Sequence, residues 1–172
     1  AGISRCSTPR SSGTSPSIDL GPDTRFGYVK AVVWGDIDND NDPDLFISVL
    51  DAPIRLFRND GPIGGPGWRF TEIAQQAGLG KRVTDSFPSW FWDYDNDGWM
   101  DLMVAGFRFV DMNDIVAFHI GRPTQTAFPS LFHNNHDGTF TDVAHAARID
   151  RIALAMGSNF GDLDNDGWPD CY

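Results

Sequence analysis

Residues 90–106 read WFWDYDNDGWMDLMVAG. Aspartates stand at positions 1, 3, 5 and 9 of the central loop (Asp93, Asp95, Asp97, Asp101), and the apolar residues on either side read as strands. The arrangement recurs twice. VVWGDIDNDNDPDLFIS from Val32 carries Asp36, Asp38, Asp40 and Asp44, and GSNFGDLDNDGWPDCY from Gly157 carries Asp162, Asp164, Asp166 and Asp170. First aspartates lie 57 and 69 residues apart, a period that suits one four-stranded propeller blade.

A second repeated block lies between the loops. RLFRND and WRFTEIAQQAGL follow the first loop, and SLFHNNHDGTFTDVAHAARI follows the second. Asp137-Gly138 between apolar alternations is a strong hairpin signal, and Asp60-Gly61 marks a related turn before a longer Gly/Pro insertion. Each period therefore reads strand, aspartate loop, strand, strand, turn, strand. The expected fold is all-β, with about two and a half four-stranded antiparallel propeller blades over residues 25–172 and aspartate loops at 36–44, 93–101 and 162–170. Helical signal is confined to a turn or two at residues 72–77 and 143–147.

The donor set points to calcium. Ca²⁺ takes six to eight hard oxygen ligands in flexible geometry, and a tight loop of alternating carboxylates with a backbone carbonyl supplies them. No Cys or His lies within any loop, so the ligands zinc prefers are missing there, and Mg²⁺ rarely takes an all-protein cage. Position 6 needs a sharp turn and holds Gly98 and Gly167, with Asn41 as the tolerated substitute in the first loop. At position 7 the backbone carbonyl of Trp99 or Trp168 is the expected ligand; Asp42 takes this place in the first loop and is a doubtful side-chain ligand. An EF-hand is excluded, because position 12 is Ile47 or Val104 rather than a bidentate Glu, and strands flank the loops. Without a cation, four carboxylates within nine residues repel one another.

These loops resemble those of FG-GAP/VCBS repeats, the calcium-loop blades also found in the integrin α head. GDIDNDNDPDLFIS, LFRND, FTEIAQQAGL, SFPSWFWDYDNDGWMDL, LFHNNHDGTFTDVA and AMGSNFGDLDNDGWPD together resemble the cartilage-acidic-protein-like branch of that family. The resemblance implies a seven- or eight-bladed propeller in the complete protein, with the aspartates at loop positions 1, 3, 5 and 9 as ligands to about three Ca²⁺ ions. Asn41, and His136 where a glycine is usual, depart from the pattern. The sequence stops two residues after Asp170, before the strands that should complete a third blade. A longer protein is the expected source of those strands; strand exchange with a neighbouring chain is the alternative.

Composition agrees with a calcium-dependent exported module. Of 24 acidic residues all but Glu72 are aspartate, and the formal charge of −11 argues against nucleic acid and anionic membrane surfaces as partners. No run is long and apolar enough for a membrane span. Residues 1–24, rich in Ser, Pro and Gly, read as a flexible leader or linker, consistent with a location outside the cell, at its surface or in the periplasm. Cys6 and Cys171 have no metal or redox spacing, and a bridge between them is left open.

No common enzyme signature is present, and the expected role is structure, adhesion or interaction with a protein or glycan ligand. The enzymatic alternative is a polysaccharide lyase or hydrolase using Asp111, Asp114, His119 and Arg122 of the 108–127 excursion. A further alternative is a subunit of an extracellular filament or assembly. His133 and His136 flank a hairpin turn and read as turn residues, with metal binding the sharper alternative. Trp34, Trp90, Trp92, Trp99 and Trp168 recur beside the loops and read as blade-to-blade packing, with sugar stacking as the rival.

Overall fold

The computed structural model describes residues 17–22, 25–79, 85–108, 111–153 and 155–172. A short strand β1 (Ser17–Asp19) is followed by β2 (Tyr28–Gly35), the first aspartate loop, β3 (Asp44–Leu50), β4 (Arg55–Pro62) and β5 (Gly67–Glu72). The second period repeats this with β6 (Ser86–Trp92), β7 (Asp101–Gly106), a helix α1 (Met112–His119), β8 (Ser130–Asn134) and β9 (Phe140–Asp142). A third period opens with β10 (Phe160–Gly161) and β11 (Asp170–Cys171). Strand order is β1-β5-β4-β3-β2 in the first sheet, β6-β7-β8-β9 in the second and β10-β11 in the third. Adjacent pairs are antiparallel except β1 and β5. The fold is thus all-β and propeller-like, with two four-stranded blades and the start of a third.

Burial on both faces explains why the inner strands are apolar throughout. Residues Asp44–Val49 of β3 and all of β7 are buried. One face of the first blade, carrying Phe46 and Leu56, meets Phe91, Leu102, Val104 and Phe132 of the second in one core. Phe91 of β6 stands edge-on to Phe46 at 6.3 Å between centroids. The opposite face of the second blade, with Trp90, Trp92 and Met103, receives Phe160 of β10, whose ring stacks at 14° on Trp90. Recurrent tryptophans at Trp90 and Trp92 are therefore packing residues, whereas Trp34 and Trp168 keep about half their surface exposed. Ser48 Oγ donates to the Phe87 carbonyl at 2.9 Å, and Phe140 N–H donates to that of Ala77 at 2.9 Å, so polar contacts join the blades as well.

Three local features were not foreseen. Ser17–Asp19, within the stretch read as a leader, pairs in parallel with Gly67–Arg69. The β8–β9 hairpin lies where Asp137-Gly138 signals it, but its connection runs over 135–139, with left-handed backbone at His136 (φ 64°) as well as at Gly138 (φ 82°). The 108–127 excursion contains α1, capped by Asp111, whose carboxylate accepts the Asp114 N–H at 3.0 Å. The short turns at 74–78 and 144–148 agree with the weak helical signal at those places.

Asp114 folds the excursion back on itself by accepting Gln125 N–H at 2.9 Å and the Thr126 hydroxyl. Hydrogen bonds from Thr124 and Thr126 hold its carboxyl at about 2, below the ordinary value of 3.8. A depressed carboxyl stabilises above its unfolded pKa, so this contribution is full above pH ~4 and is lost as the pH falls toward 2. Asp114→Ala is expected to speed amide exchange at Gln125 and along α1 while leaving the global melting temperature unchanged. A global loss would contradict a purely local role.

Gly35 marks the closest approach between blades: a Cβ there would lie 2.5 Å from Phe91 Cδ2. Gly35→Ala is expected to cost about 1–3 kcal/mol in chemical denaturation by overpacking. Gly157→Ala, with nothing within 4 Å, serves as a neutral control. Equal stability of the two variants would show that the Phe91 contact is soft.

Candidate metal centre

Each loop is built by its own carboxylates. At position 1, Asp36 accepts the N–H groups of Asp40 and Asn41, Asp93 those of Asp97 and Gly98, and Asp162 those of Asp166 and Gly167, at 2.9–3.2 Å. At position 5, Asp40, Asp97 and Asp166 accept the N–H of position 7 (Asp42, Trp99, Trp168) at 2.8–2.9 Å. Position 6 is left-handed in every loop, at Asn41 (φ 71°), Gly98 (φ 87°) and Gly167 (φ 90°), as its residue types require.

Position 9 joins the loop to the sheet. Asp44 and Asp101 have no solvent exposure. Asp44 accepts Ile37 N–H at 2.8 Å and, from the third strand, Asn59 N–H at 2.7 Å; Asp101 accepts Tyr94 N–H at 3.1 Å and Asn134 N–H at 2.8 Å. Asp170 accepts Leu163 N–H at 2.9 Å in the same way.

Position 3 differs. Asp38 Oδ1 and Asp95 Oδ1 are buried and have no hydrogen-bond partner. Buried carboxylate oxygens are nearly always satisfied, so both are atoms a cation would complete. Carboxylates of Asp36, Asp38 and Asp40 approach within 4.8 Å of one another, as do those of Asp93, Asp95 and Asp101, and of Asp162, Asp164 and Asp170. The predicted aspartates thus converge loop by loop, with position 5 joining the cluster in the first loop and position 9 in the other two. An all-oxygen set of this density fits a hard divalent cation.

The electrostatics agree. Burial pushes Asp44 up to about 6, against the pull of its two N–H donors, and Asp38 and Asp40 add repulsion. Burial likewise raises Asp101, with Asp95 adding repulsion, and raises Asp38, with Asp40 and Asp36 adding to it.

Position 4 was not recognised as a functional place. Asn39, Asn96 and Asn165 are all left-handed, with φ of 58°, 57° and 62°. Asn39 Nδ2 donates to the Gly98 carbonyl and Asn96 Nδ2 to the Gly167 carbonyl, each at 3.3 Å, so each amide holds the position-6 turn of the next loop. Asparagine at the same position of every copy was the available signal. Asn134 was missed too: its side chain donates to the Ile37 carbonyl of the first loop at 2.8 Å and to that of Met100 at 3.2 Å.

The hairpin histidines reach the second loop. His133 Nδ1 lies 3.2 Å from Asp101 Oδ1 and 3.5 Å from Asp95 Oδ2, and His136 Nε2 lies 2.7 Å from Asp97 Oδ2. In the excursion, Asp111 and Asp114 are engaged in holding α1, and His119 and Arg122 are exposed. Cys171 is an exposed free thiol; Cys6 lies outside the described residues. Among the described residues no helix is long and apolar enough to cross a membrane.

Repeated strand–loop–strand units of this geometry match a known family twice, as the FG-GAP-like repeat, over residues 36–104 and 93–172. The chain belongs to the FG-GAP-like repeat family. Each FG-GAP match contains two full aspartate loops, 36–44 and 93–101 in the first and 93–101 and 162–170 in the second, so the two matches share the middle loop. No curated protein matches the chain.

The raised carboxyls fix the pH response of the FG-GAP loops in chelator. A folded-state pKa above the unfolded value means stability is present below about pH 4 and is lost as the pH rises through about 6, the value of Asp44. Carboxyls held low, such as Asp60 and Asp114, change stability in the opposite sense at lower pH. The melting temperature of metal-free protein is therefore expected to fall between pH 4 and 6. A flat or rising curve in that window would show that these carboxylates are not under strain.

Proposed function

We propose that this chain is a calcium-stabilised module of an extracellular or cell-surface propeller, whose faces bind protein or glycan ligands and which performs no catalysis itself. The observation that carries this reading is the pair of buried, unpartnered oxygens at position 3, Asp38 Oδ1 and Asp95 Oδ1, each inside a ring of carboxylates. Three ions, each adding two charges, would bring the formal charge from −11 to −5, so calcium relieves repulsion that otherwise opposes folding. Binding free energy at such loops is folding free energy. Extracellular modules of this kind hold calcium with dissociation constants of ~10⁻⁴ to 10⁻³ M, which suits an environment where calcium is abundant.

Engagement of Asp111 and Asp114 in capping and loop closure supports the non-catalytic reading. Propeller faces and connecting segments, rather than the metal loops, are the surfaces left for ligands.

Asp95→Ala removes the position-3 ligand of the second loop and should lower the melting temperature in millimolar calcium. Chelation should then produce a smaller further drop than in the wild type, because one site is already lost. An unchanged melt in calcium would remove the structural role of that loop.

A further inference from the structure

An asparagine stands between the position-3 and position-5 aspartates of every loop, and two of the three reach forward to the next loop. Asn39 Nδ2 donates to the Gly98 carbonyl of the second loop and Asn96 Nδ2 to the Gly167 carbonyl of the third, each at 3.3 Å. A separate contact runs through the sheet. Asn134, 1% exposed, donates from Nδ2 to the Ile37 carbonyl of the first loop at 2.8 Å and to the Met100 carbonyl of the second at 3.2 Å, and its backbone N–H donates to Asp101 at 2.8 Å. Its counterpart in the first blade is Asn59, whose side-chain amide donates, among the described residues, only to the Pro43 carbonyl of its own loop, at 3.1 Å.

We propose that Asn39, Asn96 and Asn134 are positioning residues that couple the loops, so that a calcium ion held by one loop raises the affinity of its neighbour for the next. This coupling rests on the calcium reading of the loops and adds an order of strength to it. The first and second loops, joined through both Asn39 and Asn134, are coupled more tightly than the second and third, joined through Asn96 among the described residues.

The places that these amides join carry the inference. Asn39 lies between Asp38 and Asp40, whose carboxylates stand with that of Asp36 within 4.8 Å of one another. When these carboxylates close on a cation, the backbone between them is fixed, and with it the amide that holds the Gly98 carbonyl. Gly98 is position 6 of the second loop: its N–H is held by Asp93 at 2.9 Å, and the next residue, Trp99, offers the backbone carbonyl expected as a ligand. Filling the first loop therefore removes part of the ordering cost of the second. Asn96 stands in the same relation to Gly167, whose N–H is held by Asp162 at 3.0 Å.

Asn134 works by its own route. Ile37 lies between Asp36 and Asp38, while Met100 and Asp101 are positions 8 and 9 of the second loop, so one buried residue holds the backbone of the first loop and the anchor of the second. A buried amide that loses its acceptor is left unsatisfied at a cost, so these contacts are made and lost together. Coupling of this kind is reciprocal: what the first loop does for the second, the second does equally for the first.

Calcium titration of the full chain, followed at single amides by ¹H–¹⁵N NMR, reads the loops separately, through Asn41 in the first, Gly98 in the second and Gly167 in the third. Asp164→Ala removes the position-3 carboxylate of the third loop. It should raise the calcium midpoint at Gly98 about fivefold in otherwise wild-type protein and less than about twofold in Asn96→Gly. Glycine keeps the left-handed backbone of Asn96 (φ 57°) and removes only its amide. Asn165→Gly makes the same change in the third loop, where the side chain bonds no other loop among the described residues, and should leave the midpoints at Gly98 and Asn41 within about twofold of wild type. Asp38→Ala should raise the Gly98 midpoint about tenfold, and Asn39→Gly should relieve only part of that rise, because Asn134 remains. An effect of Asp164→Ala on Gly98 that is the same with and without the Asn96 amide, or that is missing from both, would overturn the coupling and leave the calcium reading standing. Absence of calcium uptake by the wild type would overturn both.

Discussion

A carboxylate without solvent exposure, at the first residue of the second strand of each complete blade, is the contact on which the structure depends. Asp44 and Asp101 each accept one N–H from the loop and one from the third strand. One side chain thereby closes the loop and ties it to the third strand, and Asp101 also lies within the carboxylate cluster of its loop. A buried charge is tolerated only where donors converge on it, which is why an asparagine backbone, Asn59 or Asn134, lies opposite it in each blade. Losing it would disconnect loop from sheet before any question of metal arose.

Blade packing follows a second repeated contact. An aromatic residue of each blade's first strand lies on the preceding blade, Phe91 against Phe46 and Phe160 against Trp90 and Trp92. Polar links run in parallel with the apolar ones: the position-4 amide of one loop holds the position-6 carbonyl of the next. Loops are therefore tied to one another along the same direction in which the blades stack, and a change in one turn is felt by its neighbour.

Much of this was legible in the sequence because it is written in short-range spacing. Aspartates at fixed positions, glycine or asparagine at position 6 and alternating apolar runs each act within a dozen residues, and the structure has the left-handed position 6 and the flanking strands where that spacing puts them. Contacts across blades were less legible. Asn39 reaches a residue 59 positions away and Asn134 one 97 positions away, and both partners accept through a backbone carbonyl that sequence does not mark. Helix α1 escaped notice because none of its residues is buried and it lacks an apolar stripe; only the Asp111 and Asp114 pair at its start carried the signal. Parallel pairing of Ser17–Asp19 with β5 arises from backbone hydrogen bonding at an open sheet edge, for which the three residues Ser-Ile-Asp are too short to leave a pattern. His133 and His136 read as turn residues, and their convergence on the second loop depended on the hairpin folding over Asp95 and Asp97.

Concentrated negative charge is what the loops have in common, and it divides their aspartates by role. Carboxylates at positions 1 and 5 are engaged with backbone N–H groups and shape the loop, position 9 anchors it, and position 3 is left with a buried oxygen unmatched in the first and second loops. Under the calcium reading proposed above, that division makes the fold and the cation mutually dependent. The most direct test is thermal unfolding of the chain in millimolar Ca²⁺ and again in excess chelator. A melting temperature that rises substantially with calcium is the predicted result; identical melting in the two conditions would contradict the account.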